Sequence, residues 1–128
     1  MKTYTNGLIT QKRTMVVHEK EFKFNAPHLF KVERTGEYLM PQDVDSTGIN
    51  DLLTVHFQEG PILENGLNGV FNEDLLAMVL CRLEHFQKSE FSCRENAVAI
   101  TKIEEALMWL RKRTDDREAR GVLGSYQK

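Results

Sequence analysis

The chain has 128 residues, 41% of them apolar and 28% charged, and a formal net charge of -2. That size suits one modest domain or two small pieces packed as one, and near-balanced charge argues against a dedicated DNA or RNA binder, which carries a large basic excess. No stretch reaches membrane-spanning length, "MKTYTNGLIT" at the N-terminus lacks the apolar run of a signal peptide, and Cys81 and Cys93 read as free thiols of a reducing cytoplasm.

Before residue 70 the apolar pattern tends to alternate, the period of half-buried strands. "EFKF" puts Phe22 and Phe24 on one face, and "LFKVER" sets Phe30 and Val32 opposite Lys31 and Glu33. Thr35-Gly36 reads as a hairpin turn leading into "EYLM", and Pro41 through Asn50 reads as a loop of short polar residues. "LLTVHF" is the cleanest alternation, with Leu53, Val55 and Phe57 opposite Thr54 and His56. Residues 1–58 therefore predict a small antiparallel sheet with one long loop. "EGPILENGLNGV" follows as a glycine-rich connector with Asn65-Gly66 and Asn68-Gly69 turn pairs.

After the connector the period becomes helical. Asn72 is the expected cap of a first helix, with Glu73 and Asp74 at the positive end of its dipole. Leu75, Leu76, Val79, Leu80, Leu83 and Phe86 form its apolar stripe. Ser92 to Glu95 fits the S-x-x-E capping box, so a second helix is expected from Cys93 to about Arg120, stopped by Gly121. Its residues Ile100, Ile103, Leu107 and Leu110 make a seam for packing on another helix. The expected fold is α+β: an N-terminal β-rich region with its connector over residues 1–70, then an antiparallel two-helix hairpin over 71–128. Two helices alone make a thin core, so oligomerisation is expected.

Three clusters are candidates for chemistry. In "WLRKRTDDREARG", Arg111 has Asp115 four residues on, Lys112 has Asp116, and Asp116 has Arg120. Arg113 instead faces Arg117 at that spacing, and Arg117 has no acidic neighbour three or four positions away. Spacing alone favours the plain reading, two cations complementing a helix C-terminus; the sharper one is a phosphate clamp of paired guanidinium forks, with Trp109 bracing Arg113. At the hairpin tip Phe86, Phe91, Arg94 and Asn96 gather round a tight turn, where a ring can stack on a purine and an amide can read its edge. Spacing alone again favours packing and solvent for these residues. Cys81, His85 and Cys93 lack the further ligand that would complete a zinc set, and no nucleophile-base pair stands out.

The phrases "ENGLNGV", "NEDLL", "CRENA", "ITKIEEALMWLRKRT" and "DREARGV" are long, ordered and specific. Through them residues 56–128 resemble the helical-hairpin domain of phage sponge proteins, the type-one Thoeris anti-defence family, which is related to the type-two anti-CBASS family. The first half resembles the family only loosely, around "HEKEFKFN" and "VHFQEGPI", and "RTGEYLMPQDVDSTGIN" looks like an insert. The resemblance implies a non-catalytic binder that sequesters glycocyclic ADP-ribose made by TIR-domain enzymes, in the cytoplasm of the infected bacterium. It implies no cofactor, metal, nucleic acid or membrane. Some members are hexamers that also hold cyclic di- or trinucleotides at separate sites. Carried onto this chain, Phe86 and Asn96 would contact adenine, and Arg113 and Arg117 would bind phosphate, with Arg94 and Asn68 as secondary candidates.

Asn96 and Arg113 are 17 positions apart, about 25 Å along a helix, which a ligand about 10 Å across cannot bridge. A homodimer is therefore the expected minimal binding unit, the tip of one chain meeting the basic end of its partner. Two other classes remain open: a hairpin module that blocks another phage or host protein, and an enzyme that degrades such signals.

Overall fold

The computed structural model describes residues 1–35, 51–125, 127 and 128. The described chain divides into two compact units, residues 1–60 with 67–69, and residues 61–66 with 70–128. The first is an antiparallel sheet and the second is helical, the α+β class that the two periods in the sequence predict.

Among the described residues the sheet has four strands in chain order: β1 (Lys2–Thr3), β2 (Thr14–His18), β3 (Leu29–Arg34) and β4 (Asp51–His56). The register pairs Val16 with Val32, His18 with Phe30, and Phe30 with Val55, so these side chains share one face. Phe57 extends that face, its ring edge-on to Phe30 with centroids 5.4 Å apart. On β4, Val55 and Phe57 are half-buried, but Leu53 is 49% exposed. A register shift at Val32/Glu33 leaves Leu52 as an extra residue there and spoils the alternation at that end.

The sheet unit departs from the alternating pattern of its sequence at two places. β2, which alternation in the sequence did not single out, is a central strand and carries the most buried apolar side chain, Val17. "EFKF" is not a strand: Phe24 and Asn25 have positive φ (56° and 73°), and Phe22 and Phe24 are exposed. Polar bonds shape this loop, with the His28 amide donating to Glu19 Oε1 (3.0 Å) and the His28 ring on the Lys23 carbonyl (2.6 Å). The expected turn at Gly36, the "EYLM" strand and the loop over 41–50 lie outside the described residues.

Gly69 closes the sheet unit where the chain returns to it. A Cβ there would stand within 3.0 Å of the Phe57 carbonyl group and the His56 oxygen, so only glycine fits. Gly69→Ala is expected to destabilise the protein by about 3 kcal/mol, read from urea denaturation.

The second unit begins with a single turn, α1 (Ile62–Asn65), followed by α2 (Asn72–Gln87) and α3 (Arg94–Ala119). α3 packs back on α2 as a hairpin. Both helices start one residue away from the expected cap. Phe71, not Asn72, is the N-cap of α2, and Asp74 accepts its backbone N–H at 2.9 Å. At α3 the cap is Cys93 rather than Ser92, its sulfur accepting from the Asn96 amide at 3.4 Å. α3 ends in a Schellman motif: Gly121 has φ 73°, its amide bonds Glu118, and the Val122 amide bonds the Arg117 carbonyl. Leu75, Leu76, Leu80 and Leu83 of α2 and Ile100, Ile103, Leu107 and Leu110 of α3 are half-buried, while Val79 and Phe86 are exposed. No described side chain is below 2% exposure, so the single chain builds only a thin core.

Candidate ligand site on the helical hairpin

The helical unit carries a cleft at each end. At the tip, a cleft of about 430 Å³ is lined by Cys81, Arg82, His85, Phe86, Ser89 and Phe91. At the far end of α3, an open cleft of about 520 Å³ is lined by Trp109, Lys112, Arg113, Arg117, Arg120 and Lys128, with Asp116. The first is mainly aromatic and the second mainly cationic.

The tip is shaped by a side chain that the sequence reading passed over. Gln87 reaches across the turn, its amide donating to the Cys93 carbonyl (3.0 Å) and its oxygen accepting from the Cys93 amide (2.9 Å). Ser89 tightens the same turn, donating to the Phe86 carbonyl (2.6 Å) and accepting from the Phe91 amide (3.1 Å). These bonds fix the end of α2, which bears Phe86, against the start of α3, which bears Arg94 and Asn96. Gln87→Ala is expected to cost about 1 kcal/mol of stability, seen in chemical denaturation, and to broaden the amide resonances of residues 88–93.

Phe86 is 42% exposed and Phe91 67%, which leaves two rings open to a planar partner. The Arg82 guanidinium lies over the Phe86 ring, 5.6 Å from its centroid. Arg82 stands four residues before Phe86, a helical neighbour that the sequence reading could have found. Asn96 is half-buried, and neither its carboxamide nor the Arg94 guanidinium has a partner among the described residues. Cys81 Sγ is 3.7 Å from His85 Nδ1, which bonds the Cys81 carbonyl at 2.8 Å. Cys93 is spent on the α3 cap, and the described residues hold no group of three or more potential metal ligands.

At the basic end the local pairs form as their spacing predicts, Arg111 with Asp115 and Lys112 with Asp116, each at 3.0 Å. The Arg120 side chain does not join the Asp116 carboxylate; it donates to the main-chain oxygen of Lys128 at 2.6 Å. Arg113 is exposed and makes no ion pair or hydrogen bond among the described residues. Arg117 differs sharply from it. It is 9% exposed and donates to the carbonyls of Val122 (3.0 Å), Ser125 (2.9 Å) and Gln127 (2.7 Å). The sequence left Arg117 without an acidic partner, and the backbone that follows α3 supplies neutral ones. Trp109 is 70% exposed in the wall of this cleft, with no ring contact to Arg113.

Asn68 belongs to the sheet unit, whereas the residues that line the two clefts belong to the helical unit. Both ends of its carboxamide are held by Glu59: Oδ1 accepts from the Glu59 amide and Nδ2 donates to the Glu59 carbonyl, each at 2.8 Å. Its own amide donates to Gln58 Oε1 at 3.0 Å. Asn68 thus stitches a loop, which takes half of the hydrogen-bonding capacity of its carboxamide.

The sequence matches one family model, the Acb2/Tad1 hairpin domain, over residues 50–115. It is also 49% identical over 142 aligned positions, covering all of both chains, to a protein of Bacillus phage SBSphiJ7 described as "Thoeris anti-defense 1".

Proposed function

The chain belongs to the Acb2/Tad1 family of phage anti-defence proteins, and from that premise we propose that it is a sponge for a cyclic ADP-ribose-type signal, glycocyclic ADP-ribose. Its role is in anti-defence; the ligand and the manner of its capture are the proposal. No described helix is long and apolar enough to cross a membrane, and the proposed place of action is the cytoplasm of the infected cell.

The observation that carries the reading is the separation of the two clefts. An aromatic cleft with Phe86 and a nearby free carboxamide, Asn96, suits an adenine ring. A cleft with Arg113, Arg117 and Arg120 suits a diphosphate. α3 is 26 residues long and sets Asn96 and Arg113 about 25 Å apart. One chain therefore offers half of the contacts at either end. In a two-fold dimer with α3 helices antiparallel, the tip of one chain meets the basic end of its partner, and two equivalent sites result. The thin core of the single chain, with Met78, Val79, Met108 and Trp109 exposed on the hairpin, is consistent with such a partner.

In the tip cleft His85 Nδ1 donates to the Cys81 carbonyl at 2.8 Å and so is no base for the Cys81 thiol 3.7 Å away, which favours a ligand held by stacking, amide contacts and guanidinium groups. The test is to incubate the protein with TIR-derived signal, remove unbound ligand, heat-denature, and identify what is released by mass spectrometry. Intact signal is expected. Recovery of a cleaved product would replace the sponge by an enzyme, and absence of any nucleotide would favour a protein-blocking hairpin module.

A further inference from the structure

The residues that follow α3 are organised around one side chain. Arg117 is the one buried residue of the helical unit among those described, and it gathers three main-chain carbonyls with its two terminal nitrogens. The backbone is prepared for this: Gly121 turns the chain at the helix end, and Ser125 folds back on the Val122 carbonyl through both its hydroxyl (2.6 Å) and its amide (3.1 Å). Gly124, at φ 81°, packs on Leu63 and accepts the Leu63 amide at 3.0 Å, which ties the segment to α1. Arg120 then fastens the main-chain oxygen of Lys128. The outcome is that Lys128 lies in the wall of the cationic cleft beside Arg113 and Arg120.

A guanidinium has five N–H donors, and Arg117 spends three of them on this segment. Turning the fork onto an incoming phosphate would take the donor from three part-buried carbonyl bonds, which opposes the movement. The Lys128 ammonium, by contrast, has no partner among the described residues and is exposed. The cleft already holds Arg113, equally free, and its one side-chain carboxylate, Asp116, is taken by Lys112. The charge available to an anion is therefore on Arg113 and Lys128 more than on Arg117.

We propose that Arg117 is a positioning residue, holding Val122, Ser125 and Gln127 so that Lys128 becomes a direct contact for the diphosphate of a bound nucleotide. This rests on the reading of the cationic cleft as a phosphate site. It assigns Lys128 a place in the site and gives Arg117 a different part from that of Arg113.

The probe is inorganic pyrophosphate, which needs only the cationic cleft, and the reporter is fluorescence of Trp109, the chain's single tryptophan, which lines it. Lys128→Ala is expected to weaken pyrophosphate binding about fivefold and to flatten its salt dependence, with Lys128→Arg restoring both. Arg117→Lys keeps the charge but cannot span three carbonyls; it is expected to speed amide exchange at residues 122–125 and to weaken binding as much as Lys128→Ala. In the Arg117→Lys background, Lys128→Ala is expected to cost nothing further, because the second change removes a contact already lost. Additive losses would overturn the positioning role, as would wild-type affinity in Arg117→Lys despite a freely exchanging segment. Unchanged binding in Lys128→Ala would remove Lys128 from the site. A wild-type protein with no response to pyrophosphate would overturn the phosphate-cleft reading itself, a result distinct from any of these.

Discussion

A one-to-one mixture of Phe86→Ala and Arg113→Ala chains recovers about one quarter of the wild-type ligand capacity, although each variant alone binds too weakly to retain ligand through filtration; this is the result expected if every site takes its tip and its basic end from different chains. The arithmetic follows from symmetry. Random pairing makes about half of the dimers mixed, and a mixed dimer has one site carrying both defects and one carrying neither. The experiment unfolds and refolds the mixture, then counts ligand retained after filtration. Sites contained within one chain would give no recovery at all. The geometry underlying this expectation is the length of α3, whose 26 residues put Asn96 and Arg113 too far apart for one small ligand.

The second large effect separates two arginines that look alike in sequence. Arg113→Ala is expected to lower ligand affinity about 100-fold, the value of a charge-assisted bond of roughly 2.7 kcal/mol, with no change in melting temperature. Its side chain is exposed and without a partner among the described residues, so its removal leaves nothing unsatisfied. Adding Arg117→Ala should abolish binding and also destabilise the fold by about 3 kcal/mol, because three carbonyls lose their donor. Calorimetric titration and thermal unfolding of both variants check this. Equal effects on stability from the two substitutions, or unchanged affinity in the double variant, would remove the clamp from the account.

The two arginines also mark where reading the sequence stopped. The i,i+4 rule found Arg111 with Asp115 and Lys112 with Asp116, because both partners sit on one turn-to-turn row of a single helix. The same rule left Arg117 unpaired, and its partners proved to be carbonyls of a segment beyond the helix stop. Main-chain acceptors carry no residue type, so no pattern of side chains could have announced them. Gln87 escaped notice for a similar reason: it bonds the backbone of Cys93 across a turn whose closure the sequence does not describe.

What the sequence determined by itself is local and periodic. Leucines and isoleucines at helical spacing made α2 and α3, Gly121 stopped the second, and alternation made β3 and β4, since these depend on residues within a turn or two of each other. The short phrases carrying the family resemblance are equally local, and the relative identical at 49% of aligned positions extends the likeness over the whole chain. Tertiary structure alone decided that "TMVVH" is a central strand while "EFKF" is a loop, and that Asn68 is held by Glu59. It also decided that a ring cleft and a cationic cleft stand at opposite ends of one hairpin. Those outcomes depend on which distant backbone groups meet. Hydrogen-bond partners brought together by the fold can override a local preference worth about 1 kcal/mol or less.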